Sequence, residues 1–122
     1  MPLVVGSARP AEVAEVIELL WNLPRTLVLV STDLSHYLPA PDARELDTHT
    51  CALVVAGELE KLEPEMACGF HPLAGLMFAA RHSGLLTELL DLRNSSDTAG
   101  EPESVVGYGT FAVVAAGPKD QA

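Results

Sequence analysis

The feature that most constrains this chain is the junction between residues 27–30, Leu-Val-Leu-Val, and residues 31–37, Ser-Thr-Asp-Leu-Ser-His-Tyr. An all-apolar four-residue run bounded by polar residues reads as a strand buried on both faces. It stops abruptly at a packet of hydroxyls, a carboxylate and an imidazole. Ligands of open α/β sheets sit outside the carboxyl ends of the strands. Chemistry carried by residues 31–37 is therefore expected at the tip of a rigid element.

The rest of the chain alternates strand-like and helix-like patterns. Residues 3–6, Leu-Val-Val-Gly, predict a short interior strand. Pro10 suits a first helical position, and Val13, Val16, Ile17 and Leu20 share one face, so a helix is expected from Pro10 to about Trp21, ended by Pro24. Residues 31–41 predict a loop broken by Pro39 and Pro41. Asp42 then reads as the cap of a second helix, with a stripe of Leu46, His49, Thr50, Leu53 and Ala56 widened by Cys51 and Val54. After an acidic connection, a third helix is expected from Pro72, burying Leu73, Leu76, Met77 and Ala80 and stopping at Gly84. The second half of residues 85–92 predicts a strand, residues 94–103 a turn-rich loop, and residues 105–116 a central strand, apolar on both faces. Strands separated by helices imply an α/β fold with a layered sheet. Residues 1–117 form one expected domain, with a disordered tail at 118–122.

Charge narrows the partners. Seventeen acids against seven bases give a net charge of -10. Without a basic cluster, neither nucleic acid nor an anionic membrane surface is an expected partner. Hydrophobic residues make up 48% of the 122 residues and the mean hydropathy is +0.25, a globular composition. Aromatics are only 5%, so the core must be built from Leu, Val and Ala. Two cysteines do not make a disulfide framework. No signal-like opening and no apolar run near the ~18 residues of a spanning helix is present, so a cytoplasmic location is expected.

Two side chains are the main candidates for chemistry. His36 can act as acid, base or ligand near neutral pH, and Asp33, three residues earlier, is placed to fix its tautomer. The plainer alternative is a surface-loop histidine. Cys68 precedes Gly69 at a loop-to-helix junction, where helix N–H groups favour an anionic sulfur of the kind metals bind. A small buried hydrophobe is the alternative, and the one that suits Cys51. His71 makes a C-x-x-H spacing with Cys68, a weak signal alone, while His49 and His82 read as helix-surface residues. One Cys and one or two His do not close a zinc site. A serine hydrolase at Ser31 or Ser35 is disfavoured, because Asp33 and His36 are too close in sequence for triad geometry and no G-x-S-x-G elbow exists. Ser31 and Thr32 read as turn caps, and Tyr108, between two strand glycines, as core.

Taken in order, P-L-V-V-G at 2–6, S-T-D-L-S-H-Y at 31–37, A-C-G at 67–69 and N-S-S-D-T with S-V-V-G-Y-G at 94–109 resemble the Memo family. In bacteria and archaea this family is the B component of the AmmeMemoRadiSam system. The resemblance implies a fold like the class III extradiol dioxygenases, a mixed α/β sheet with helices on its faces, and a non-haem metal pocket, with iron or copper as the ion. It makes Cys68 a metal ligand, with Asp33 and His36 lining the same pocket and His36 at the acid/base position. Family members also carry an N-terminal half, whose P-H-A-G-Y and E-H-S histidines complete the site. Neither motif is present here, so the ligand set is expected to be incomplete and the chain alone to bind metal poorly. The family's S-S-D is S-T-D here, and Phe70 stands where Arg is common.

The expected function is thus a Memo-like protein with a partial metal site and redox or dioxygenase-like chemistry. The rival is a non-catalytic peptide-binding or scaffold protein using the same cleft. The expected partner is a polypeptide supplying the other half, or a second copy, because interior strands without neighbours expose apolar edges.

Overall fold

A computed structural model of the chain describes residues 1–116. The expected tail at 118–122 lies outside the described residues. The elements run α1 (Pro10–Trp21), β1 (His36–Leu38), α2 (Ala40–Ala56), α3 (Phe70–His82), β2 (Leu85–Asn94) and β3 (Val105–Ala115), with single 3-10 turns at Leu59–Lys61, Pro64–Met66 and Ser95–Asp97. The three strands form a sheet ordered β1-β3-β2 and paired antiparallel throughout. This is an α/β architecture of the expected class. α2 packs over β2 and β3, α3 touches β2, and α1 packs on α3.

Each helix follows from local rules. Pro10 starts α1, where its missing N–H costs nothing, and Glu12 reaches back to the Arg9 N–H at 3.0 Å. α2 begins at Ala40, two residues before the expected Asp42, because Pro41 is tolerated in a first turn; Asp42 lies in that turn, where a carboxylate suits the helix dipole. It ends at Gly57, whose φ of 71° is left-handed. α3 begins at Phe70, with Pro72 inside its first turn.

Two hydrophobic clusters result. Leu34, Cys51, Leu53, Val54, Leu62, Met66, Leu73 and Met77 fill the space between α2, α3 and the sheet, with Leu92 and Phe111 against them. Val13, Ala14, Ile17 and Ala79 fill the α1–α3 contact. Gly75 lets those helices approach: a Cβ there would run into the Val13 side chain.

Three sequence expectations are corrected. β2 runs the full Leu85–Asn94, hydrogen-bonded to β3 from Leu85↔Ala115 to Asn94↔Gly107, rather than only its second half. Its antiparallel hairpin partner supplies ladder bonds that apolar patterning does not reveal. Residues 36–38, expected as loop, form β1, with a register shift at Tyr37, whose φ is 64°. Residues 3–6 and 27–30, expected as interior strands, are unpaired. Val28 packs on the α1–α3 cluster while Leu27 and Leu29 are 81% and 82% exposed, and Val4 is fully exposed beside half-buried Val5. Their alternation is strand-like, but a strand needs a neighbour for its N–H and C=O groups, and the described residues provide none. With α1, these segments line an apolar groove of about 710 Å³ that runs to Ser31.

Candidate metal centre

Leu34 anchors the site. Its side chain is 2% exposed in the main core cluster. Its N–H donates to the Gly107 carbonyl at 2.9 Å, and the Gly107 N–H donates to the Ser35 carbonyl at 2.9 Å. These bonds continue the β1–β3 pairing upstream and fix residues 34–35 against β3. Leu34 and Ser35 are buried, while Asp33 is half-buried and His36 exposed at the rim.

A second loop is knitted to the first. The Asp33 N–H donates to Cys68 Sγ at 3.2 Å, and the Cys68 N–H donates to the Asp33 carbonyl at 3.2 Å. Thr32 Oγ1 donates to the Asp33 carbonyl at 2.8 Å and accepts the Gly69 N–H at 2.7 Å. Gly69 is required for this contact, since a Cβ would lie 2.7 Å from both the Ser31 carbonyl oxygen and Thr32 Cβ. Thr32 thus bridges two loops 37 positions apart in sequence, rather than capping a turn of its own as expected.

The knitting brings one donor atom each from Asp33, His36 and Cys68 within 4.8 Å of one another. His36 Nε2 lies 3.7 Å from Asp33 Oδ2. That is too long for a hydrogen bond, so the carboxylate does not fix the imidazole tautomer. It is close enough for an ion pair when the ring is protonated. The donors suit a transition metal: bonds of about 2.0–2.3 Å in a tetrahedral arrangement separate donors by roughly 3.3–3.8 Å. Shifts of about an ångström by exposed side chains close the difference. Thiolate and imidazole together suit copper, iron or zinc.

The other histidines stay apart. His71 stacks edge-on against Phe70 with ring centroids 5.2 Å apart, His82 Nδ1 meets Glu18 Oε1 at 2.8 Å, and His49 is exposed. Cys51 is buried, and burial, then the Asp47 charge, pushes its thiol up to about 11. Ser35 is 1% exposed with its hydroxyl committed to Asp47, so it is no nucleophile. Residues 94–97 form a structural knot: Asn94 accepts the Ser96 N–H, Asp97 accepts the Asn94 N–H, and Ser95 Oγ accepts the Val106 N–H. Tyr108, expected in the core, is 44% exposed, on the face of β3 opposite buried Val105 and Gly107.

Sequence reading missed Asp47. Its carboxylate, 2% exposed, accepts the Ser35 N–H on Oδ1 at 3.0 Å and the Ser35 hydroxyl on Oδ2 at 2.9 Å. Burial raises its pKa, opposed by the two Ser35 bonds and by the charge of His36. The signal was available: Ala43, Asp47, Thr50 and Val54 share the buried face of α2, and an acid on such a face needs a partner.

The comparisons agree with the motifs. The family model for Memo-like proteins matches residues 1–112. A MEMO1 family protein of Methanosarcina barkeri is 31% identical over 125 aligned positions, covering 93% of this chain and 47% of the relative. Family proteins of Methanosarcina mazei and Thermoplasma acidophilum are 28% and 26% identical, covering 93% of this chain and 47% and 45% of their own lengths. This chain thus spans about half the length of the curated relatives it matches. No helix among the described residues is long and apolar enough to cross a membrane. With the family model covering all but the last residues, and with Asp33, His36 and Cys68 gathered at one rim, the chain belongs to the Memo-like protein family.

Proposed function

We propose that Asp33, His36 and Cys68 hold a redox-active first-row metal ion, iron or copper, at the rim of the sheet. The observation that carries this reading is the 4.8 Å spread of their three donor atoms. Cys68 supplies the soft anionic donor, and the Asp33 N–H pointing at Sγ steadies negative charge on it. Asp33 and His36 supply a carboxylate and an imidazole from the neighbouring loop. Asp33 is half-buried and His36 and Cys68 are exposed, so an ion held there would be open to donors from outside this chain. A bound ion of this kind supplies electron transfer to a small molecule, in dioxygenase-like or related redox chemistry.

A second reading rests on the His36–Asp33 distance of 3.7 Å. Cys68 alone then ligates, and His36 transfers protons with Asp33 holding the charged ring. Anaerobic titration of Fe(II) and Cu(I) onto the purified chain separates the readings. The first expects weak one-to-one binding lost in both Cys68→Ala and His36→Ala; the second expects His36→Ala to keep it. Undiminished binding by Cys68→Ala overturns both.

The reading includes a protein partner. Unpaired residues 27–30 and the 710 Å³ groove beside them offer apolar surface to a second polypeptide, either the half of the relatives that this chain does not span or a second copy. The rival scaffold reading places an extended peptide in the cleft of Asp33, His36 and Cys68 itself, and survives if that peptide's binding is unaffected by His36→Ala.

A further inference from the structure

We infer that Asp47 is the positioning residue for His36, setting where the imidazole stands through the buried carboxylate–Ser35 clamp. The inference deepens the metal-site reading and rests on it for its functional meaning.

The side chain and the main chain of Ser35 are both held. Asp47 Oδ1 takes the Ser35 N–H at 3.0 Å and Oδ2 takes its hydroxyl at 2.9 Å. On the other side, the Ser35 carbonyl accepts the Gly107 N–H at 2.9 Å. Three bonds therefore fix the residue that immediately precedes His36. The next residue, Tyr37, has a left-handed φ of 64°, so the chain turns sharply just after the imidazole. Such a conformation in a bulky residue persists only where its surroundings impose it. The clamp at 35 and the β1 pairing of His36 with Val106 impose it here.

The clamp has its own support. Gly107 stands directly against the carboxylate: a Cβ there would collide with Asp47 Oδ2. Asp47 itself projects from the middle of α2, on the face that also buries Ala43, Thr50 and Cys51. A rigid helix thus reaches through a glycine gap in β3 to hold the loop bearing the candidate ligand. Burying an acid is unfavourable unless it is bonded, and all of its bonds here go to one residue next to His36. Groups that orient a ligand from behind typically change metal affinity 10–100-fold when removed.

The test uses the full chain with Co(II) as the probe, reading affinity and the thiolate charge-transfer and d–d bands. Three-bond couplings of His36 report its χ1 rotamer in the metal-free protein. Asp47→Asn keeps the shape, accepting the Ser35 N–H and donating to its hydroxyl, and is expected to stay within about threefold of the parent in affinity. Asp47→Ala is expected to bind Co(II) at least tenfold more weakly, with shifted bands and an averaged χ1. Ile17→Ala, which weakens the α1–α3 cluster, is expected to lower stability while leaving bands and χ1 unchanged. Should Asp47→Ala not fold, Gly107→Ala, which pushes the carboxylate off Ser35, carries the same expectation. A single unaltered χ1 rotamer in the clamp variants overturns the inference. Co(II) binding that is absent from the parent, or that persists in Cys68→Ala, overturns the metal reading instead, and χ1 still decides the role of Asp47.

Discussion

Asp33 and Cys68 are bonded to each other twice, through Asp33 N–H to Cys68 Sγ and Cys68 N–H to the Asp33 carbonyl, both at 3.2 Å. The pair joins positions 35 apart in sequence, with β1 and all of α2 between them. Any ion held by the thiol is thereby held beside the carboxylate. The same pairing leaves the sulfur at the surface, unlike that of Cys51.

The two thiols should therefore react very differently. In the native chain at pH 7.5, a disulfide exchange reagent should titrate one thiol quickly, and Cys68→Ala should abolish that phase. Cys51, buried and with its thiol pushed up to about 11, should react only at the rate of unfolding. Two fast equivalents in the native parent would count against the packing of α2.

Asp47 should leave a signature in the pH dependence of stability. Its pKa is raised by burial, so the folded chain binds this proton more tightly than the unfolded chain. Between the ordinary Asp value of about 3.9 and the raised folded value, the native state carries the excess proton, and this group's contribution to stability falls as pH rises. Below that window the penalty is absent; above it the penalty is complete. Denaturant melts of Asp47→Asn, which does not titrate, should gain on the parent as pH rises from 4 and then run parallel to it. A constant difference across the range would remove Asp47 as the cause.

The α1–α3 crossing depends on Gly75. Alanine is the better helix former by about 1 kcal/mol. Here its Cβ would strike the Val13 side chain, and overpacking costs about 1–3 kcal/mol. With the Val13 clash at the upper end of that range, about 2–3 kcal/mol, set against the gain in helix propensity, Gly75→Ala should destabilise by roughly 1–2 kcal/mol, a Tm fall of about 4–8 °C. An unchanged or raised Tm in calorimetry would mean that α1 shifts freely.

Residues 27–30 should govern association. Leu27 and Leu29 are more than four-fifths exposed, and their backbone is unpaired. Light scattering should find the parent self-associating in a concentration-dependent way. Leu27→Glu with Leu29→Glu should shift it to monomer at unchanged Tm, because neither side chain contributes to the core. A monodisperse parent monomer would exclude self-association through this edge.

The buried faces of the helices, the central place of β3 and the identity of the candidate donors follow from local chemistry. Helical spacing of Val13, Ile17 and Leu20, Pro10 at a helix start and Gly57 or Gly84 beyond a helix end act within a few residues, so they are legible in the chain alone. So is the oddity of Ser31-Thr32-Asp33-Leu34-Ser35-His36 after an apolar run, although no local rule tells how far Cys68 will lie from it. Only the folded chain decides that Cys68 comes to Asp33, that Asp47 comes through the gap at Gly107 to Ser35, and that residues 3–6 and 27–30 remain without partners. Those are relations between segments distant in sequence. A strand is made by its neighbour and a buried charge by what it meets, and neither is written in the residue's own vicinity.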